Sequence, residues 1–184
     1  TGDQKGVLYS HRSNFLHGLC SLMPDVLGFS RRDVVLAIVP MFHANAWGLA
    51  FAAPAVGAKF VLPGAKLDGA SLFELMETEG VTFSAGVPTV WQGLLQFLER
   101  ERLRPTTLKR IVSGGAAAPE ALIRAYQEKY GIEVRHGWGM TEMSPIGTVN
   151  APPDLATPTT EQGRAIFGVD LRLTDDEGAE VPQD

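Results

Sequence analysis

The chain has 184 residues, enough for one domain with a sizeable apolar core. Its 16 basic and 21 acidic residues give a net charge of −5, which argues against a nucleic-acid partner because phosphate backbones require a basic surface. A single cysteine excludes an internal disulfide and no apolar run approaches the roughly 18 residues of a membrane span, so we expect a cytoplasmic protein without a transmembrane segment.

Strands and helices are predicted to alternate along most of the chain. Apolar or β-branched runs predict strands at residues 6–10, 33–40, 58–63, 81–86, 108–115 and 132–139. Helical spacing of apolar residues predicts helices over residues 15–26, 72–76, 88–98 and 119–131. Pro24 should kink or end the first helix, Asp68 or Ser71 should cap the second, and Pro88 and Pro119 suit the first turns of the others. The first helix should bury one apolar face, made of Phe15, Leu16, Leu19, Leu22, Met23 and Val26.

This alternation predicts an α/β fold, a mainly parallel sheet with helices on both faces. Ligands of such sheets bind at the carboxyl ends of the strands. Residues 1–150 should form this α/β subdomain. Residues 151–162 read as a loop and residues 168–182 as a β-hairpin with its turn near 176–178, so residues 151–184 should begin the next subdomain.

Several short segments follow predicted strands and could converge on one crevice, although each also has a simpler structural explanation. In HGWGMTEMSP, Trp138 offers a flat ring, and Thr141 and Glu142 offer oxygen atoms, but a Gly-rich turn with a packed tryptophan has the same pattern. SGGAAAP (113–119) could lie flat against a planar ring or be only a tight turn. PMFHANAW places His43 and Trp47 four residues apart, on one face of a helix, either as a substrate wall or as core.

Other kinds of site find less support. TGDQKGV could hold phosphates with Lys5 and backbone amides, or be a frayed terminus. The glycines near Trp138 are not a dinucleotide-binding fingerprint, because Glu142 stands where the third glycine belongs, and no P-loop motif occurs. The histidines lack zinc-ligand spacing, and no Gly-x-Ser-x-Gly elbow supports a serine hydrolase.

Taken together, these segments resemble the adenylate-forming, AMP-binding superfamily, which includes acyl-CoA synthetases, peptide-synthetase adenylation domains and luciferases. TGDQKG resembles the end of the family's phosphate loop, with Gln4 where the family usually has proline. GWGMTE resembles the family's Y-G-x-T-E motif, with Trp138 in place of the tyrosine. SGGAAAP resembles the family's adenine-pocket loop. The sequence from Val39 to Trp91 is most similar to medium- and long-chain fatty acyl-CoA synthetases. The resemblance covers the chain but only the central part of a family member. We therefore expect that N- and C-terminal parts of a parent chain are missing.

The resemblance implies that ATP activates a fatty acid as an acyl-adenylate, which coenzyme A converts to a thioester, with Mg²⁺ as the metal ion. It implies that Glu142 holds Mg²⁺, that Thr141 bonds the α-phosphate, and that both are catalytic residues together with His43. The implied nucleotide-binding residues are Thr1, Gly2, Lys5, Gly115, Ala116, Ala117, Trp138, Gly139 and Thr141. The implied substrate residues are His43 near the acyl carboxylate, Trp47 as a gate of the acyl tunnel, and Val87 in its wall. The family's ribose-binding aspartate and adenylation lysine fall beyond Asp184, so we expect no turnover by this chain alone.

Two other functions stay open at this stage. A related enzyme could adenylate an aryl or amino acid, although no carboxylate stands near Phe42, His43 and Trp47 to hold a substrate ammonium group. A non-catalytic nucleotide-binding module is the other alternative, and the intact Thr141–Glu142 pair argues against it.

Overall fold

The structure is a computed structural model that describes residues 6–151 and 157–181. Its strands are β1 (Val34–Ala37), β2 (Lys59–Val61), β3 (Phe83–Gly86), β4 (Arg110–Ser113), β5 (Glu133–Gly139), β6 (Ile146–Val149) and β7 (Arg164–Ala165). Its helices are α1 (His11–Ser21), α2 (Ala44–Trp47), α3 (Leu49–Val56), α4 (Gly69–Glu79), α5 (Pro88–Glu101) and α6 (Glu120–Arg124). A wider helical turn, Ala125–Lys129, continues α6, and a short 3₁₀ turn spans Thr141–Met143.

The strands form one sheet in the order β2-β1-β3-β4-β5-β6-β7. The pairs from β2 to β5 are parallel, and the pairs β5–β6 and β6–β7 are antiparallel. The strand order reverses between β1 and β3, so the loops at the carboxyl ends of the parallel strands border a switch point where such sheets bind ligands. The predicted mainly parallel α/β fold is confirmed.

Helices cover both faces of the sheet, as predicted. Alternate residues of a strand point to opposite faces, so Val35 and Leu36 of β1 enter different cores. The core that contains Leu36 is built with α4, α5 and α6, whereas the core that contains Val35 is built with α1 and α3. Trp91 of α5 anchors the first core: it is fully buried, and its Nε1–H donates to the carbonyls of Gly86 (3.0 Å) and Val112 (3.1 Å).

The helix starts follow local signals that the sequence contains. Asp68 caps α4 by accepting a hydrogen bond from the Ser71 N–H at 3.0 Å, so of the two predicted caps Asp68 is the one used. Pro88 occupies the first turn of α5, where its missing N–H costs nothing. Pro119 precedes α6, and Gly131 follows the wider turn with φ +69°.

The start of the chain differs from two sequence predictions. Residues 6–10 form no strand; they are irregular, and the Ser10 side chain caps α1. The predicted apolar face of α1 is not buried, because Phe15 is 66% exposed and Leu16 49%. The buried residues of α1 are the smaller or polar ones on its other side, His17, Gly18, Cys20 and Ser21. Small side chains on this side let α1 approach α3 closely. The pattern of apolar residues along α1 does not predict this packing.

The last described residues form the predicted hairpin in a minimal version. One antiparallel bridge joins Thr174 to Glu180, and the Asp175 N–H donates to the Ala179 carbonyl at 2.9 Å. Before it, β7 pairs with β6 and so extends the main sheet. The boundary between two subdomains at residues 150 and 151 stays a prediction. Within the described ranges, no helix combines the length and apolar character needed to cross a bilayer.

Candidate functional site

A mostly apolar cavity opens at the carboxyl ends of the parallel strands. Its walls come from the segments that follow β1, β4 and β5, which are far apart in sequence. The cavity is lined by six of the residues predicted from the sequence: His43, Trp47, Gly115, Trp138, Gly139 and Thr141. The expected convergence of separate loops on one crevice is therefore present.

The remaining predicted residues lie beside this cavity or outside the described residues. Val87 touches the loop after β4: a Cβ atom built on Gly115 would lie 3.4 Å from its Cγ1. Ala116 and Ala117 are exposed in that same loop, and Glu142 is exposed next to Thr141. Thr1, Gly2 and Lys5 lie outside the described residues.

Trp47 closes one side of the cavity against the glycines after β4. Cβ atoms built on Gly114 and Gly115 would lie 3.3 and 3.5 Å from the Trp47 indole. The indole therefore packs directly on this backbone, and it is only partly exposed. A side chain at Gly114 would press against the ring, whereas a Cβ atom at Gly115 would make an ordinary contact with it.

The turn that carries Trp47 has an unusual backbone. All four residues of α2 have positive φ, from 45° at Ala44 to 55° at Trp47, so the turn is left-handed. The expectation that a regular helix puts His43 and Trp47 on one face is therefore wrong, although both line the cavity. A left-handed turn costs roughly 1–2 kcal/mol per residue with a Cβ atom. Such strain persists where the surroundings hold it, here with Ala46 fully buried.

The loop that carries Thr141 and Glu142 is closed on itself and tied to the start of the chain. The Met140 N–H donates to the Pro145 carbonyl at 3.0 Å, which holds the two ends of the loop together. The Tyr9 hydroxyl donates to the Thr141 carbonyl. Burial, with the Glu142 carboxylate nearby, raises the pKa of Tyr9, so the phenol stays a donor at neutral pH. No role in the site was predicted for Tyr9, whose only signal was its place shortly after TGDQKG.

Two buried histidines hold the backbone around the cavity, and no local sequence pattern signals either role. The His136 Nε2 accepts from the Ala118 N–H at 3.3 Å, and its Nδ1 lies 2.9 Å from the Thr160 carbonyl. With Nε2 accepting this bond, Nδ1 is the ring nitrogen that donates to the Thr160 carbonyl. His136 thereby fixes the loop after β4.

His17 holds the backbone at the start of β6. Its Nε2 accepts from the Ile146 N–H at 3.2 Å, and burial lowers its pKa to about 4. The ring is therefore neutral near pH 7 and supplies an acceptor beside the Met140–Pro145 loop.

The carboxylate of Glu142 suits a cation that a nucleotide brings with it. Among residues 6–151 and 157–181, no group of three or more His, Cys, Asp or Glu side chains could hold a metal ion. Glu142 alone offers a carboxylate in the turn beside the cavity. Mg²⁺ commonly binds through one or two carboxylates plus substrate phosphates and water, so this donor fits such an ion.

A family model for AMP-binding enzymes matches residues 1–184. The chain belongs to the AMP-binding enzyme family. This membership confirms the resemblance found in the sequence.

Named proteins of known sequence or structure resemble this AMP-binding chain along its whole length. The medium-chain-fatty-acid–CoA ligase of Ectopseudomonas oleovorans is 50% identical over 100% of this chain and 35% of its own length. The 3-methylmercaptopropionyl-CoA ligase of Ruegeria lacuscaerulensis is 48% identical over 100% of this chain and 36% of its own. The crystal structure of a long-chain-fatty-acid-CoA ligase from Archaeoglobus fulgidus matches with a TM-score of 0.83 and 27% identity, covering 98% of this chain and 38% of that one. The chain thus spans about a third of the length of these curated relatives.

Proposed function

We propose that this chain supplies the nucleotide- and acyl-binding core of an acid–thiol ligase that activates a fatty acid with ATP. In the first step a carboxylate oxygen attacks the α-phosphorus and pyrophosphate leaves, giving an acyl-adenylate. In the second, the thiol of coenzyme A attacks the acyl carbonyl, loses its proton and releases AMP. The observation that carries this proposal is the single cavity that joins an aromatic ring, a glycine-rich loop and an apolar wall.

The nucleotide end of the cavity would lie between Trp138 and the loop after β4. Trp138 is 38% exposed and would stack on one face of the purine, with Gly115, Ala116 and Ala117, which carry no bulky side chains, on the other face. The Thr141 hydroxyl would bond the α-phosphate. Because this step joins two anions, binding them in position and stabilising their charge would supply most of the catalysis.

Backbone, hydroxyl and charged groups would act on the other phosphates. Thr1, Gly2 and Lys5 would hold the β- and γ-phosphates, and Glu142 would hold Mg²⁺. Mg²⁺ held there would supply positive charge that offsets the negative charge of the phosphates.

The acyl end of the cavity favours an uncharged tail. Its lining includes Leu27, Ala85, Val112 and Val149, and none of the described residues that line it is acidic or basic apart from His43. His43 would lie near the acyl carboxylate, and Trp47 and Val87 would border the tail. An amino-acid substrate would leave its ammonium group without a partner here, at a substantial desolvation cost.

A panel of carboxylic acids tests this proposal. Acid-dependent exchange of labelled pyrophosphate into ATP should be supported by fatty acids and not by amino acids, measured on the protein that carries this sequence at its full natural length. Faster exchange with aryl or amino acids would favour the related adenylation activity. ATP binding without exchange for any acid would favour the non-catalytic module.

Glu142→Gln tests the site itself. It should reduce Mg²⁺-dependent exchange by at least roughly 100-fold while leaving the melting temperature unchanged, because the side chain is exposed. The exposed Glu161 offers the matched control, since Glu161→Gln changes charge equally away from the cavity lining. Normal exchange by Glu142→Gln would contradict the assigned role.

A further inference from the structure

We propose that Gly147 is a positioning residue that sets the place of the Trp138 ring and thereby the affinity for the nucleotide. The inference rests on the proposed function, in which Trp138 stacks on the purine. Gly147 lies in β6, beside the strand that carries Trp138, and it is buried.

The Trp138 indole lies directly against the Gly147 backbone. A Cβ atom built on Gly147 would lie 2.7 Å from Trp138 Cζ3 and 2.8 Å from Cε3, and 2.9 Å from the Met143 methyl group. Ordinary contacts between carbon atoms are about 3.5–4.0 Å, so any side chain at this position must displace its neighbours by roughly 1 Å. The Met143 methyl group is the end of a flexible chain and can yield, whereas the indole is rigid.

The backbone at Gly147 cannot retreat to make room. The preceding N–H, that of Ile146, is bonded to His17, and the Gly147 carbonyl accepts from the Ile166 N–H at 3.0 Å. The Trp138 backbone is also held, because it pairs with Thr148 across the β5–β6 ladder. A side chain at Gly147 would therefore move the indole itself.

The direction of that movement matters for the ligand. Trp138 is among the residues that line the cavity and Gly147 is not, so the purine would lie on the other side of the ring from Gly147. A ring pushed outward would take space that the purine needs and lose its parallel contact. Partial loss of the stacking between the base and this ring should raise the KM for ATP by roughly 5- to 30-fold, which corresponds to about 1–2 kcal/mol.

Because of this contact, whether residue 147 can carry a side chain should depend on the size of the ring at residue 138. The atoms Cε3 and Cζ3 belong to the second ring of the indole, which a tyrosine lacks. Trp138→Tyr should therefore relieve the clash that Gly147→Val introduces. This size match distinguishes a positioning role from a general requirement for glycine in the strand.

The test measures the KM for ATP, the KM for the acid and kcat by pyrophosphate exchange, on the protein that carries this sequence at its full natural length. Gly147→Ala and Gly147→Val should raise the KM for ATP with little change in the KM for the acid. The double variant Trp138→Tyr/Gly147→Val should return to the values of Trp138→Tyr alone. Gly93→Ala is the matched control, because a Cβ atom there meets nothing within 4 Å, and it should leave each constant unchanged.

The outcomes separate this inference from the proposed function. If Trp138→Ala leaves the KM for ATP unchanged, the stacking role itself is wrong. If Trp138→Ala raises it but Gly147→Ala and Gly147→Val do not, the positioning role of Gly147 is overturned. Should Gly147→Val fail to fold, the double variant decides: restored folding and KM support the size match, and continued misfolding contradicts it.

Discussion

Protonation of His17 should destabilise the protein in mildly acidic solution. Its ring is 8% exposed, and its Nε2 accepts the Ile146 N–H. It also lies so close to Gly48 that a Cβ atom there would be 2.6 Å from the ring. A proton on Nε2 would both break the hydrogen bond and place a charge in this buried site. Burial accordingly lowers the pKa of His17 from 6.5 to about 4.

The size and sign of the effect follow from the two pKa values. Between pH 6.5 and about 4 the unfolded chain binds the His17 proton and the folded chain does not. The free energy of unfolding therefore falls as the pH drops through this window and is constant with respect to this group below it. At about 1.4 kcal/mol per pKa unit, the His17 contribution amounts to about 3 kcal/mol.

Urea unfolding at a series of pH values from 7 to 4 measures this contribution. His17→Gln keeps an acceptor for the Ile146 N–H but cannot titrate, so its unfolding free energy should fall by about 3 kcal/mol less than that of the wild type over this range. His11→Gln removes an exposed histidine from the same helix and should keep the wild-type dependence. Parallel curves for wild type and His17→Gln would refute the assignment of a buried neutral ring.

Three further substitutions test other parts of the structure. Ala44→Gly should leave the free energy of unfolding unchanged or raise it by up to about 1 kcal/mol, because glycine relieves the left-handed strain. The control Ala121→Gly in α6 should lower the free energy of unfolding by about 1 kcal/mol. Equal losses for the two variants would contradict the left-handed turn. Tyr9→Phe should reduce kcat/KM for ATP roughly fivefold in pyrophosphate exchange, and an unchanged value would show that this contact is not used. Trp91→Phe should cost about 2–4 kcal/mol in urea unfolding, since two buried carbonyls lose their donor; a loss below about 1 kcal/mol would contradict this anchor.

The sequence predicts those features of the fold that depend on short-range signals. The apolar runs that became β1, β3 and β4 could be recognised because strands buried on both faces have few polar residues. Proline in the first turn marked the start of α5 for a local reason, its missing N–H. The segments that follow these strands then had to meet at one edge of the sheet.

Features that depend on packing partners were not predictable. The apolar stripe of α1 was found, but which side is buried depends on how closely α3 can approach. The left-handed α2 contradicts the preferences of its own residues and exists only because the surrounding core holds it. Tyr9 and Thr141 are 132 residues apart, and no local pattern signals their contact.

The position of the bound nucleotide tests the central claim most directly. A crystal structure with a non-hydrolysable ATP analogue, determined on the protein that carries this sequence, should show the purine between the Trp138 ring and the backbone of residues 115–117. The α-phosphate should lie within hydrogen-bond distance of the Thr141 hydroxyl. Electron density for the purine elsewhere, with the Trp138 ring free of any contact to it, would contradict the account of one shared cleft.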